Sequence, residues 1–474
     1  MRPMTLREVA EALHAQLPAL LTGGEQVRGV TTDSRTVEPG DLFFALRGER
    51  TDGHQYLQEV FAKGAVAAVV EYLPIGAEGY PLLRVPSTVQ ALGMLAHHYR
   101  MQMPHLTVIG ITGSTGKTTT RAMVATALEA GFPNAVHSSP GNFNTEIGVP
   151  LTLFGLEPYH KLLVQEMAMR GRGQIAYLAE IARPQIGIIT QIGWSHIELL
   201  GSRQAIAEAK SELLRALPAD GLAILPRDDR FYEFLLEQAP CPALTFGRHP
   251  ESNACLVETH LAPDSTSGLV RLKIPSDRSD LPDQSDIVKE LEITLPSLGE
   301  HLLINATAAL LMAVALGVDP HRAARALEKV QLPEMRMAIQ PQPGGWTLIN
   351  DAYNANPDSM RAALRVLLYQ APAQRRIAVL GDMKELGAYS MRLHWQLGRW
   401  LATQPLDYLI LVGTDVLWTA AAAKEGGFPT QRVLHFENPL SAGEWLWRNV
   451  QKGDWVLLKG SRAVGLERIT GVKV

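Results

Sequence analysis

Residues 106–120 read LTVIGITGSTGKTTT, an apolar β-branched stretch, a glycine-spaced turn, then lysine and threonines leading a helix-compatible segment. Few patterns constrain a fold as tightly. A buried strand must enter a turn of small residues, and the turn must open the N-terminus of a helix. Such a turn holds phosphate. Its backbone amides donate to phosphate oxygens, and the helix end adds about half a positive charge. The Lys117 ammonium reaches the outer phosphates, and the Thr118 hydroxyl is placed to ligate Mg²⁺. Gly113, Ser114, Thr115, Gly116, Lys117, Thr118 and Thr119 are therefore the expected nucleotide contacts. The spacing departs from GxxxxGK[ST], because Ile111 stands five residues before Gly116 and the glycines fall at 110, 113 and 116. An ordinary GTPase or kinase loop does not fit, and no NKxD guanine sequence occurs in the chain.

The surrounding pattern extends this unit. LTVIGIT, LLVQEM, QIGIITQI and GLAILP are strand-length apolar runs, separated by helical stretches such as 117–130 and 203–216. This alternation predicts a parallel sheet covered by helices. A further helix is expected over 300–316, stopped by Gly317. Between them, 261–290 is polar and rich in Ser, Asp and Pro, and reads as a surface excursion. Before residue 104 the pattern is mixed. Strands flank a Pro39-Gly40 turn, DGHQYLQEVFAKG reads as a helix closing at Gly64, and AVAAVVE as a buried strand. After 333 a second alternating unit begins, with strands GWTLIND, RRIAVLGD, DYLILVG, QRVLHF and DWVLLKG. It has the rhythm of a Rossmann-like sheet but no GxGxxG, so no dinucleotide is indicated. The α/β fold expected is three domains over 1–103, 104–332 and 333–474, in line with 474 residues at roughly 150 per domain.

Composition removes several classes. Acids exceed bases by 48 to 44, a net −4, without the basic excess of a dedicated nucleic-acid binder. Two cysteines, Cys241 and Cys255, cannot build a disulfide framework or a cysteine zinc site, which suits a reducing cytoplasm. The first residues carry Arg7, Glu8, Glu11 and His14 where a signal peptide would be apolar. The most lipid-like run, 306–318, is shorter than the ~20 residues of a membrane span and reads as a buried helix. The expectation is a cytoplasmic protein without membrane insertion, and a monomer, since no exposed apolar stripe is evident.

The TGSTGKTTT spacing resembles the ATP loop of the Mur ligases, which add amino acids to the peptidoglycan precursor. Further stretches resemble the same family in the same order. They are TTDSRTVEPGDLFFALRGERTDGHQY (31–56), GNFNTEIGVPLTL (141–153), HIELLGSRQAIAEAKSEL (196–213), NDAYNANPDSM (350–360), LGDMKELG (380–387) and LLKGSR (457–462). NDAYNANPDSM and LGDMKELG resemble the branch that joins D-alanyl-D-alanine to UDP-N-acetylmuramoyl-tripeptide; the DNPR-type motif linked to diaminopimelate addition is absent. The resemblance implies a UDP-sugar domain, a central ATP domain and a Rossmann-like domain closing over both. It implies ATP, two Mg²⁺ ions and an acyl-phosphate intermediate, made when the peptide's terminal carboxylate attacks the γ-phosphate.

The same resemblance implies roles for single residues. Glu166, ending LLVQE, matches a glutamate holding a second Mg²⁺, although Met167-Ala168 follow it where glycine is common. His196, in GWSHIELLGS, matches a metal-binding histidine. Lys210, in AIAEAKSELL, matches a lysine carbamylated by CO₂ whose new carboxylate supports the metal; taken alone, a lysine on an amphipathic helix is a solvated residue. Asn305 matches an asparagine that hydrogen-bonds adenine, and Arg336 and Asp351 match phosphate and ribose contacts, with Tyr353 and Asn354 flanking the base. Ser34 and Arg35 are the implied UDP contacts, and Asn142, Asn144 and Thr145 the muramoyl-peptide contacts. Asp382, Lys384 and Glu385 would position the incoming dipeptide. Helix capping by NPDSM is compatible with any of these roles.

Two other readings stay open on the sequence. One is a sibling ligase, another Mur enzyme or a folylpolyglutamate-synthase-like protein, which would share the ATP loop but not the two branch motifs. The other is a nucleotide-gated switch that ligates nothing; Glu166, His196 and Lys210 speak against it, because a mere binder needs no second metal. The third residue of the accepted peptide, diaminopimelate or lysine, is not legible.

Overall fold

The computed structural model describes residues 1–17, 21–48, 51–77, 79–274, 287–370 and 374–471. A nine-stranded sheet forms the centre. Its spatial order is Ile287–Leu295, Thr266–Ile274, Ala254–Leu261, Ala243–Gly247, Leu222–Pro226, Ile186–Ile189, Thr107–Thr112, Leu162–Glu166 and Val136–Ser138. From Ala254–Leu261 to Val136–Ser138 every pairing is parallel. The β-branched runs of the sequence are these inner strands, with Ile109, Ile111, Val164, Ile188 and Ile224 fully buried between helices on the two faces. Helix Lys117–Glu129 packs on helix Glu300–Ala315, the apolar run expected to be buried, and Gly317 ends that run in the left-handed region.

The segment 261–290 corrects the sequence reading. Thr266–Ile274 and Ile287–Leu295 are strands that extend the sheet antiparallel, in register from Thr266↔Leu295 to Leu272↔Lys289. Residues 275–286 of that segment lie outside the described residues. The apolar side chains alternate: Val270, Leu272, Leu291, Ile293 and Leu295 are buried, while Arg271 and Glu290 pair at 2.9 Å on the open face. A strand wetted on one side hides its core half among polar letters. The expected helix over 203–216 is likewise two pieces, Arg203–Lys210 and Glu212–Arg215, broken at Ser211, whose hydroxyl bonds back to the Glu208 carbonyl.

The C-terminal sheet has six strands in the order Ala338–Pro341, Thr347–Asn350, Trp455–Lys459, Arg376–Gly381, Tyr408–Val412 and Val433–Phe436. Only the first pair is antiparallel. The N-terminal four-stranded sheet, Gly29–Thr31, Asp41–Phe44, Ala67–Val70 and Leu82–Arg84, is parallel throughout. The Pro39-Gly40 turn therefore ends a crossover containing a short 3₁₀ turn, Ser34–Thr36, and is not a hairpin. Helix Thr88–Met101 leads out of this sheet and packs on helices Gly148–Phe154 and Gln174–Ala182 of the central unit. Cys241 and Cys255 are free and buried. Among the described residues no helix is long and apolar enough to cross a membrane.

Candidate active site

Three neighbouring central strands, Ile186–Ile189, Thr107–Thr112 and Leu162–Glu166, end side by side, and the segments that leave their carboxyl ends carry the site. Ligands of open parallel sheets bind at such ends. The loop after Thr112 is held from beneath. The Ser114 amide donates to the Gln191 carbonyl at 2.8 Å, and the Thr190 hydroxyl to the Thr115 carbonyl at 2.5 Å. A Cβ at Gly113 would stand 1.8 Å from Thr190 Oγ1, and one at Gly116 would stand 2.9 Å from Asn305 Oδ1. Both glycines are thus required by close approach, and Gly116 also has φ +82°. Lys117 donates to the Gly113 carbonyl at 2.8 Å. Burial lowers its pKa, and the nearby Glu166 carboxylate opposes that shift.

Glu166 is 2% exposed. One carboxylate oxygen accepts from Asn144 Nδ2 at 2.8 Å, while Oε2 has no hydrogen-bond partner among the described residues. His196 sits in the left-handed region, φ +63°, and its Nδ1 is 2.7 Å from Glu385 Oε2. Glu385 is itself left-handed, φ +62°. The adjacent His196 ring holds its carboxyl below the ordinary range. Two strained non-glycine residues thus meet across two domains; such strain is of order 1 kcal/mol each and concentrates at functional sites.

Lys210 is wholly buried, and its Nζ has no partner among the described residues. Burial pulls its amine well below the usual lysine range; the Lys117 ammonium adds to this and Glu166 opposes it. An amine left unpaired in an apolar interior is stable only when neutral.

A cavity of about 550 Å³ joins these parts. Ser114 through Thr119, Asn142, Asn144, Thr145, Glu166, His196, Asn305, Arg336, Asp351, Tyr353, Asn354 and Glu385 all line it. Lys210 does not reach its surface; it lies behind, within the fields of Lys117 and Glu166. Ser34, Arg35, Asp382 and Lys384 are not among the lining residues. Asp382 turns into its own domain, accepting from the Thr414 and Val416 amides at 3.1 and 2.9 Å and pairing with Lys384 at 2.8 Å. The structure therefore brings only Glu385 of that motif to the cavity. Arg35 spends its guanidinium on Asp33 in a forked pair of 2.6 and 2.9 Å, and the Ser34 carbonyl accepts from Lys63.

The sequence reading missed several lining residues, among them Glu146, Arg170, Gln174, His301 and Lys459. Lys459 lies within the LLKGSR stretch and pairs with Asp351 at 2.5 Å. His301 carried no local signal; burial brings it down from 6.5 to about 4. Asn356, also in the cavity wall, caps helix Pro357–Gln370 through the Ser359 amide at 2.9 Å, as the NPDSM pattern implies. No group of three His, Cys, Asp or Glu side chains disposed to hold a metal occurs among the described residues.

A glycine-spaced phosphate loop at the head of a parallel sheet, faced by two further α/β domains, defines a three-domain phosphate-loop protein. Three family models match in sequence along the chain: the Mur ligase family catalytic domain over 26–100, the Mur ligase middle domain over 111–313 and the Mur ligase glutamate ligase domain over 335–462. The chain belongs to the Mur ligase family. It is 37% identical to a UDP-N-acetylmuramoyl-tripeptide–D-alanyl-D-alanine ligase of a Synechocystis species, over 98% of this chain and 96% of that one. Among solved structures it is similar to a MurF of Acinetobacter baumannii, with TM-score 0.87, 34% identity, and 99% and 98% of the two chains covered. It is also similar to the MurF ligase of Thermotoga maritima solved with ADP, with TM-score 0.79, 28% identity, and 94% and 96% covered.

Proposed function

We propose that this chain is an ATP-dependent ligase joining D-alanyl-D-alanine to UDP-N-acetylmuramoyl-tripeptide, the last cytoplasmic step toward the pentapeptide precursor of peptidoglycan. The single observation that carries this is the shared cavity, in which the phosphate loop, Glu166 and His196 face Asn305 and the C-terminal Arg336, Asp351 and Glu385. The activity named for the full-length Synechocystis relative supports the choice of substrates.

On this reading residues 1–103 bind the UDP-sugar, 104–332 bind ATP, and 333–474 close over both. Ser34 and Arg35 contact the UDP portion, and Asn142, Asn144 and Thr145 the muramoyl peptide. Gly113 through Thr119 cradle the triphosphate; Asn305, Asp351, Tyr353 and Asn354 hold adenosine, and Arg336 meets phosphate. The ADP bound by the Thermotoga relative supports a nucleotide here.

The residues fit Mg²⁺. Glu166 offers an unpartnered buried carboxylate oxygen and Thr118 a hydroxyl at the cavity wall. Mg²⁺ usually takes one or two carboxylates, completing its shell with water and substrate phosphates, so a sparse protein donor set suits it. Thr118 would hold one ion; Glu166, His196 and a carbamylated Lys210 would hold a second. The ions would supply charge neutralisation between two anions. The buried, unpaired Lys210 amine is the neutral form that CO₂ carbamylates, with release of one proton.

The chemistry balances in two steps. A carboxylate oxygen of the peptide bonds to the γ-phosphorus as ADP leaves, giving an acyl phosphate. The dipeptide amine then bonds to the acyl carbon as inorganic phosphate leaves, and the nitrogen loses one proton. The chain's own share is positioning and electrostatics. Lys117 and Arg336 set positive charge against the phosphates, and Glu385 fixes the His196 ring beside the reacting carboxyl. The protein acts as a cytoplasmic monomer. Phosphate release that requires ATP, UDP-N-acetylmuramoyl-tripeptide and D-alanyl-D-alanine together is the expected result. ATP binding without substrate-stimulated release would instead identify a switch.

A further inference from the structure

Beside the main cavity lies a smaller space of about 290 Å³, between helix Thr88–Met101 of the N-terminal domain and helix Gln174–Ala182. Glu146, Ala168 and Gln174 line both spaces, so the two adjoin. Val89, Ala168 and Leu178 give the side pocket apolar walls. Its polar groups include the Glu146 carboxylate and the Tyr177 hydroxyl. Glu146 makes no hydrogen bond or ion pair among the described residues, and Tyr177 Oη is a buried atom without a partner there. A Cβ at Gly93 would stand 2.5 Å from that oxygen, so glycine lets the phenol lie against the N-terminal helix. No lysine or arginine lines the pocket.

Stereochemistry says what belongs there. The carboxyl that reacts and the side chain of the peptide's last residue are bonded to one Cα, so that side chain must begin within about 3 Å of the reacting carbon and extend away from it. Ala168, two residues beyond Glu166, opens from that centre into the side pocket. An apolar stem fits the walls. A terminal cation would meet the carboxylate of Glu146, which is solvent-exposed and makes no ion pair among the described residues.

We propose that this pocket receives the side chain of the third peptide residue and that Glu146 pairs with an ammonium at its end. The inference makes Glu146 a specificity-determining residue and rests on the ligase reading. The test uses the full chain and two nucleotide-peptides, UDP-N-acetylmuramoyl-tripeptide ending in lysine or in norleucine. Binding of each, by calorimetry without ATP, is measured beside ligation. The native protein is expected to bind the lysine peptide about tenfold more tightly. Glu146→Gln is expected to bring the two within about twofold, with ATP affinity unmoved. Val89→Phe, which fills the pocket from the N-terminal helix, is expected to weaken both peptides. Equal binding by the native protein, or a preference that survives Glu146→Gln, overturns the proposal. Lysine-selective binding without ligation would uphold the pocket and overturn the ligase reading, so the two failures are distinct.

Discussion

Arg336 reaches out of the C-terminal unit and donates from Nη2 to the Thr118 hydroxyl at 3.0 Å. Its guanidinium carbon lies 4.3 Å from the centroid of the Tyr353 ring, which holds the planar group in place. A cation from the C-terminal domain thus rests on a hydroxyl at the start of the helix that the phosphate loop opens.

Arg336→Ala should therefore lower kcat/KM for ATP by about a hundredfold, the loss of a charge-assisted contact to phosphate. Arg336→Lys should recover part of this, because a lysine keeps the charge but neither forks nor stacks. Steady-state kinetics with ATP varied checks both; an unchanged kcat/KM in Arg336→Ala would remove the phosphate role.

Lys210→Ala should reduce ligation by at least about a hundredfold, with small carboxylic acids restoring part of it by standing in for the missing carbamate. A carbonyl signal from ¹³C-bicarbonate on the native protein, absent in the variant, is the direct reading. Full activity in Lys210→Ala would end the carbamate proposal.

Arg100 is a stability centre. It is 3% exposed and gives its guanidinium to three carbonyls, Ala182 at 3.2 Å, Met103 at 2.7 Å and Leu106 at 2.9 Å. Arg100→Met keeps the stem but takes the side-chain donor from all three carbonyls; the Met103 carbonyl keeps a backbone partner, the Leu106 amide at 3.1 Å. About 3 kcal/mol of unfolding free energy should be lost, read by urea denaturation.

His301 should set an acid limb of stability. Its pKa falls from 6.5 in the unfolded chain to about 4 in the fold, chiefly by burial. Between those values the unfolded state binds more protons, so stability is full above pH 6.5 and falls as pH drops toward 4. Thermal melts from pH 7 to 4 should show this slope, and His301→Gln should flatten it.

Legibility in the sequence followed locality. The phosphate loop was readable because strand, glycines and helix start are consecutive, and the strands around it because their burial on both faces leaves unbroken apolar runs. The 261–290 segment misled because a strand at the wetted edge buries only alternate residues. Asp382 shows a different limit. It stands in a motif whose next acid, Glu385, enters the cavity, yet its carboxylate serves the turn at Thr414–Val416. Nothing in the order of letters says which way two acids three residues apart will point.

By itself the sequence determined three α/β units, a loop shaped for phosphate and the family resemblance, since periodicity and glycine placement act over a few residues. Only tertiary structure decided that Lys210 is buried and unpaired, that His196 meets Glu385 in a pair of left-handed turns, and that a side pocket opens past Glu146. Solvation and charge depend on segments far apart in the chain, and no window of sequence contains both partners.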